Sequence, residues 1–250
     1  MKNKNLPFSI LLRTLGRTFL LQASWSFERM QSLGALYIMA PALRYLYQGQ
    51  DLEEAFRRYM VYFNTHPFMA PPVLGATLAL EEGQARGEDL PIGPVEFREM
   101  VMAPFAAIGD ALFWGGFRPL AAVVALFFAF KGSLWAPVIF VVLFNLPHLW
   151  FRFGGLMRGY FSGLRMVEVV QRRHLPDWAI RAKEATVVLL GGLCAYLTLV
   201  SLGREGVALG WGLLFLPMVV FLGWLTRKGA SNLLLILATT GALLCLGLFL

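Results

Sequence analysis

The sequence predicts an all-α polytopic membrane protein, with amphipathic N-terminal helices, re-entrant broken helices and about five transmembrane segments. Three observations lead there. The chain is 58% hydrophobic and 15% charged, with a mean hydropathy of +0.62, whereas soluble domains carry roughly 25% charge. Apolar runs at 112–130, 134–151, 185–202, 207–225 and 232–250 each approach the roughly 20 residues that a helical span needs. The net charge of +7 gathers in short stretches between these runs, as cytoplasmic loops require. That placement argues against nucleic acid as a partner.

Residues 6–22 read as an amphipathic helix. Phe8, Leu11, Leu12, Leu15 and Phe19 recur at helical spacing, with Arg13 and Arg17 on the opposite face. This is the pattern of a helix lying in the headgroup layer; a packed surface helix is the competing assignment. Ser26 is placed to cap a helix reaching about Tyr47, kinked at Pro41. Trp25, Tyr45 and Tyr47 suit an interfacial aromatic belt. Asp51 to Phe63 reads as a third helix, with Asp51 as N-cap and Glu53–Arg57 and Glu54–Arg58 as i,i+4 pairs. Tyr59 falls on its apolar stripe. Its charge places this helix on the cytoplasmic side rather than across the bilayer. No apolar run with a cleavage site follows the basic N-terminal residues, so they are expected in the mature protein.

The stretch from Asn64 to Pro119 carries the chemistry. His66 precedes Pro67, which pushes it out of the α region and ends the third helix near Asn64. Pro71-Pro72 restarts a helix. Residues 68–80 are too short to cross, which predicts a re-entrant hairpin closing on Glu81-Glu82. Carboxylates at a helix C-terminus oppose its dipole, so water or cations must solvate them. After a loop at 83–93, Pro94 starts a helix that Pro104 interrupts. Asp110, Trp114 and Arg118 then follow at i, i+4 and i+8, on one face of a continuous helix. A carboxylate beside an indole is a common sugar-binding pair; the competing assignment makes Asp110 a helix cap and Trp114 a belt residue. Polar groups set in lipid-compatible segments usually mark a substrate path or a partner contact.

The connection 152–183 is long and basic, and 226–231 holds Arg227 and Lys228. With both in the cytoplasm, the alternation puts the N-terminus inside and Leu250 outside. Cys194 and Cys245 lie inside apolar runs, which argues against a disulfide or a zinc site. His148 and His174 are isolated and read as structural. No repeat, P-loop or metal spacing occurs, so no cofactor or metal is expected. The patterning divides the chain into interfacial helices over 1–63, a core region over 64–184 and C-terminal transmembrane helices over 185–250.

Several motifs recur together in one family. Trp25 with Glu28-Arg29-Met30-Gln31, Phe63-Asn64-Thr65-His66-Pro67, Glu81-Glu82 and Ile108-Gly109-Asp110-Ala111-Leu112-Phe113-Trp114-Gly115 stand in this order. With Asn145, Gly159-Tyr160-Phe161-Ser162-Gly163 and the Arg227-Lys228 hairpin, the chain resembles the IID component of mannose-type phosphotransferase sugar permeases. It departs from the family at Ser26-Phe27, where Asn-Tyr is usual, and at Ala103 and Ala107, where Gly is usual.

The resemblance implies a partner-dependent transporter in a bacterial inner membrane. A IIC membrane subunit would complete it, in a trimer of IIC–IID heterodimers that moves a hexose by an elevator-like motion. Cytoplasmic IIA and IIB phosphocarriers would phosphorylate the arriving sugar, with no phosphorylated or catalytic residue on this chain. Carried over by motif, Asn64, His66, Asp110 and Trp114 are the candidate sugar contacts, and Glu81, Glu82 and Arg118 either contact sugar or brace the helices. Two other classes stay open: a regulatory or scaffold subunit without transport, and a membrane transferase using Asp110 or Glu81-Glu82 as acid and base.

Overall fold

The computed structural model describes residues 5–206 and 208–249, and helices carry its architecture. Helix α1 spans Phe8–Arg17, α2 Ser32–Leu46, α3 Gly49–Arg58 and α4 Ala70–Arg86. Helix α5, Pro94–Gly109, passes through a π-helical segment, Asp110–Phe117, into α6, Arg118–Phe130. Then come α7 (Ala136–Ser162), α8 (Met166–Gln171), α9 (Leu175–Arg204), α10 (Phe215–Arg227) and α11 (Asn232–Phe249). Among the described residues, three stretches are long and apolar enough to cross a membrane: Pro94–Phe130, Ala136–Gln171 and Leu175–Arg204. Shorter apolar helices cover Leu216–Arg227 and Asn232–Gly247. The chain is an all-α, multi-pass membrane protein.

Helix α4 forms the centre of the first of two compact units, Met1–Leu189. It is buried on nearly every face from Ala70 to Gly83. Its main neighbour is α7, with α5 and α2 beside it. Two glycines explain the close α4–α7 crossing. A Cβ on Gly75 would stand 2.2 Å from the Leu156 carbonyl oxygen, and one on Gly159 would stand 2.2 Å from that of Pro72. Small residues serve membrane helices this way, because backbone approach supplies the van der Waals packing that apolar lipid does not drive. The second unit, Leu190–Leu250, holds the end of α9 with α10 and α11. Its apolar side chains, such as Leu233, Ile236 and Leu244, are largely exposed. Cys194 and Cys245 are free thiols.

Several expected boundaries move. Ser26 does not cap α2. Its hydroxyl accepts the Arg29 N–H at 3.1 Å, closing a turn, and α2 begins at Ser32. Helix α3 starts at Gly49 behind Gln48, so Asp51 lies in the first turn without capping it, and the helix stops at Arg58. Helix α4 runs past Glu81-Glu82 to Arg86 and ends at Gly87, whose φ of 78° favours glycine. Pro104 does not interrupt α5, since Pro94–Phe130 is helical throughout; membrane helices tolerate proline where neighbouring groups satisfy the freed carbonyl. Arg152 belongs to α7, not to a loop. It is buried, donates to the Thr18 carbonyl and lies 4.6 Å over the Phe19 ring.

Candidate functional site

The first site residues sit on an extended segment between α3 and α4. The Gln31 N–H donates to the Phe63 carbonyl at 2.8 Å, and the Phe63 N–H donates to the Arg29 carbonyl at 3.4 Å. The Gln31 side chain continues the pairing: its amide nitrogen donates to the Thr65 carbonyl at 2.7 Å, and its amide oxygen accepts the Thr65 N–H at 3.2 Å. Residues 29–31 thus hold 63–65 as a neighbouring strand would. Pro67 disfavours a helical His66. The His66 carbonyl instead accepts the Met69 and Ala70 N–H groups at 2.8 and 3.0 Å, which starts α4.

This framework sets His66 among aromatic rings, 2% exposed. It stacks on Phe113 at 5.1 Å between centroids and 15°, and meets Trp114 at 4.9 Å and Phe68 at 5.1 Å. Phe68 stacks in turn on His148 at 4.2 Å, whose Nε2 is 2.6 Å from the Asn145 side-chain oxygen. The Phe68 N–H donates to His66 Nδ1 at 3.2 Å. A neutral imidazole accepting at Nδ1 carries its proton on Nε2. That Nε2 is buried without a partner among the described residues.

Gly109 lets His66 lie on the α5 helix. A Cβ there would stand 2.3 Å from that of His66. The next residue, Asp110, opens the π segment, where the wider i→i+5 turn re-aims side chains and often marks a functional site. Asp110, Trp114 and Arg118 are all exposed along it, and the Arg118 guanidinium lies 5.6 Å over the Trp114 ring. The chain is helical on both sides of Asp110, so it starts no helix and the capping assignment fails. Asn64 is half-buried two residues before His66. His66 and Trp114 are therefore in ring contact, with Asp110 beside the glycine that His66 covers.

Glu81 and Glu82 belong to a second, buried cluster. Glu81 accepts from the Tyr47 hydroxyl at 2.7 Å, from Arg58 Nη2 at 2.7 Å and Nε at 3.2 Å, and from the Tyr59 hydroxyl. Glu82 accepts from the Leu6 N–H at 2.8 Å, from Arg86 Nη1 at 2.6 Å and from the Tyr160 hydroxyl. Donors from other elements satisfy Glu81, and Glu82 is satisfied by Arg86 of its own helix together with Leu6 and Tyr160. Burial alone would lower the Arg58 pKa, but the hydrogen bond and charge of Glu81 carry it above the ordinary value. Burial first, then the Glu81 charge, hold the Tyr47 hydroxyl protonated.

A family model described as the PTS system mannose/fructose/sorbose family IID component matches residues 9–250. The chain belongs to this IID family. Among relatives, a mannose-specific EIID component of Escherichia coli K12 is 43% identical over 155 residues. That match covers 61% of this chain and 55% of the relative, so it spans about half of the relative's length. A sorbose-specific EIID component of Lacticaseibacillus casei is 33% identical and covered to 85%, with 88% of this chain matched. Two solved structures are similar across 97% of the IID chain. One is described as a membrane protein, 32% identical, with a TM-score of 0.75 and 97% of its chain covered. The other is a cryo-EM structure of the mannose transporter ManYZ with a microcin, 31% identical, with a TM-score of 0.61 and 96% of its chain covered.

Several groups that shape the IID site were not visible as such in the sequence. Gln31 stood in a recognisable motif with no role attached. Tyr47 reads as a belt residue and Tyr59 as part of an apolar stripe, yet both donate to Glu81. Tyr160 reaches Glu82 across 78 residues, a separation no local pattern spans. The usable signal was the acid pair itself, since buried carboxylates require donors. Arg98 gave none. It is fully buried, its guanidinium lying 4.9 Å over Tyr59 and 5.1 Å over Phe63, with no hydrogen-bond partner among the described residues.

Proposed function

We propose that this IID chain is the membrane subunit of a mannose-type phosphotransferase permease. With a IIC subunit it forms the translocation path for a hexose, and cytoplasmic IIA and IIB pass phosphate to the sugar as it arrives. The complex is a trimer of IIC–IID heterodimers in a bacterial inner membrane, moving its cargo by an elevator-like displacement. The observation that carries the reading is the unpartnered His66 Nε2–H in an aromatic nest beside Asp110 and Trp114. A buried donor without an acceptor costs about 1–3 kcal/mol, a cost removed when a hydroxyl-rich ligand accepts from it. Asp110 is exposed and is the sole charged residue of the stretch 100–117. Lipid does not solvate it, whereas a partner surface or a sugar does. Asn64, with both donor and acceptor atoms, completes the polar set, and Glu81 and Glu82 brace the helices rather than contact sugar.

The deciding experiment is uptake. Cells lacking endogenous permeases are given this chain with a matching IIC subunit, IIA and IIB, and accumulation of labelled mannose, fructose and sorbose is measured. The expected result is phosphorylated sugar only when both membrane subunits are present. A complex that assembles but accumulates none of the three would leave a regulatory or scaffold subunit instead.

A further inference from the structure

The largest cavity described lies where the later turns of α7, helix α8 and the start of α9 come together, with Met69, Pro72, Leu112 and Phe117 also on its wall and none of the proposed sugar contacts in its lining. Its volume is about 480 Å³, within the ~300–1,000 Å³ of small-molecule sites. Its walls, among them Phe151 and Val170, are apolar. A hexose fits poorly there, because each of its hydroxyls would lose water without gaining a partner.

Two lining residues have a different character. Arg158 and Arg173 both line the cavity and both are exposed. Neither takes part in an ion pair among the described residues. Trp150 and Trp178 stand on the same lining, and the Arg158 guanidinium lies 5.8 Å over the Trp150 ring. Arg158 stands in the last turns of α7 and Trp178 in the first turn of α9, helix-end positions at which aromatic and basic residues mark headgroup depth. Basic pockets between membrane helices recognise anionic lipid headgroups. An apolar slot opening beside two unneutralised cations fits a molecule with a long hydrocarbon chain and an acidic head.

We propose that this cavity binds one anionic phospholipid, an acyl chain filling the slot and the phosphate resting between Arg158 and Arg173. None of the proposed sugar contacts lines this cavity, so the proposal stands whether or not transport does.

Native mass spectrometry of the full chain in neutral detergent tests it. The probes are dioleoyl phosphatidylglycerol, dioleoyl phosphatidylcholine, dihexanoyl phosphatidylglycerol and inorganic phosphate. The expected result is retention of one dioleoyl phosphatidylglycerol and of none of the others. The Arg158→Gln/Arg173→Gln double variant should bind it at least about tenfold more weakly, as loss of a charge-assisted hydrogen bond implies. Arg181→Gln, exposed and outside the lining, should change nothing. Equal retention of phosphatidylcholine, or full retention by the double variant, overturns the headgroup contact. Equal retention of the short-chain lipid or of phosphate alone overturns the acyl slot, and needs no variant to fold.

Discussion

Asp110 gains its importance from what it does not do. It caps no helix, which removes the simplest structural reason for an acid at this depth. It follows Gly109, whose bare Cα makes room for the buried His66 ring. Asp110→Asn keeps the volume, removes the charge and exchanges one acceptor for a donor. If the carboxylate accepts sugar hydroxyls, losing that charge-assisted bond costs about 1.5–3 kcal/mol, so sugar affinity should fall roughly tenfold to a hundredfold. Calorimetry on purified IIC–IID complex, with assembly checked by gel filtration, measures this; unchanged affinity in an intact complex removes Asp110 from the site. Asp110, Trp114 and Arg118 were legible because side chains three to four residues apart share a helix face. That signal survives the π segment, as the Arg118–Trp114 contact shows. The state of His66 was not legible. Its free Nε2 depends on a local backbone bond to Nδ1 and on rings brought from another helix.

At the scale of elements, the same sequence signs meant different things in different surroundings. Proline was expected to break α5 and did not; Glu81-Glu82 was expected to end α4 and lies inside it. Both errors come from reading a helix alone, when its neighbours supply the missing donors and packing. Two arginines, half-buried Arg58 and fully buried Arg98, make the distinction testable. Arg58 pairs with the fully buried Glu81, and removing one partner of such a pair costs about 3–5 kcal/mol, because the other charge stays buried. Arg58→Met should therefore lower the melting temperature of the purified complex. Arg98 has ring faces but no acceptor, and an apolar side chain of similar size often replaces a buried cation without loss. Arg98→Met should leave the melting temperature unchanged or raise it. If both variants destabilise equally by differential scanning fluorimetry, the distinction between saturated and orphaned cations is wrong.

The whole molecule leaves much apolar surface uncovered by its own chain, most of all along Leu175–Arg204, where little of the span is buried. Lipid covers such a face if the helices cross the bilayer in the order their loops dictate. The charge bias sets that order. Arg158, Arg165, Arg172 and Arg173 cluster where α7, α8 and α9 meet, and Arg227-Lys228 sits between α10 and α11. Placing both basic turns in the cytoplasm gives an alternation compatible with three long helices and two short ones. The turn after α9, around Glu205, then lies outside and the N-terminus inside. This prediction needs a background free of thiols, because Cys194 and Cys245 are both exposed. In a Cys194→Ala/Cys245→Ala chain, Glu205→Cys should react with a membrane-impermeant maleimide on intact spheroplasts, whereas Gln171→Cys should react only after lysis. The reverse pattern would turn the molecule over in the membrane. It would also move the cluster of basic residues, and the lipid cavity that opens beside it, to the outer leaflet.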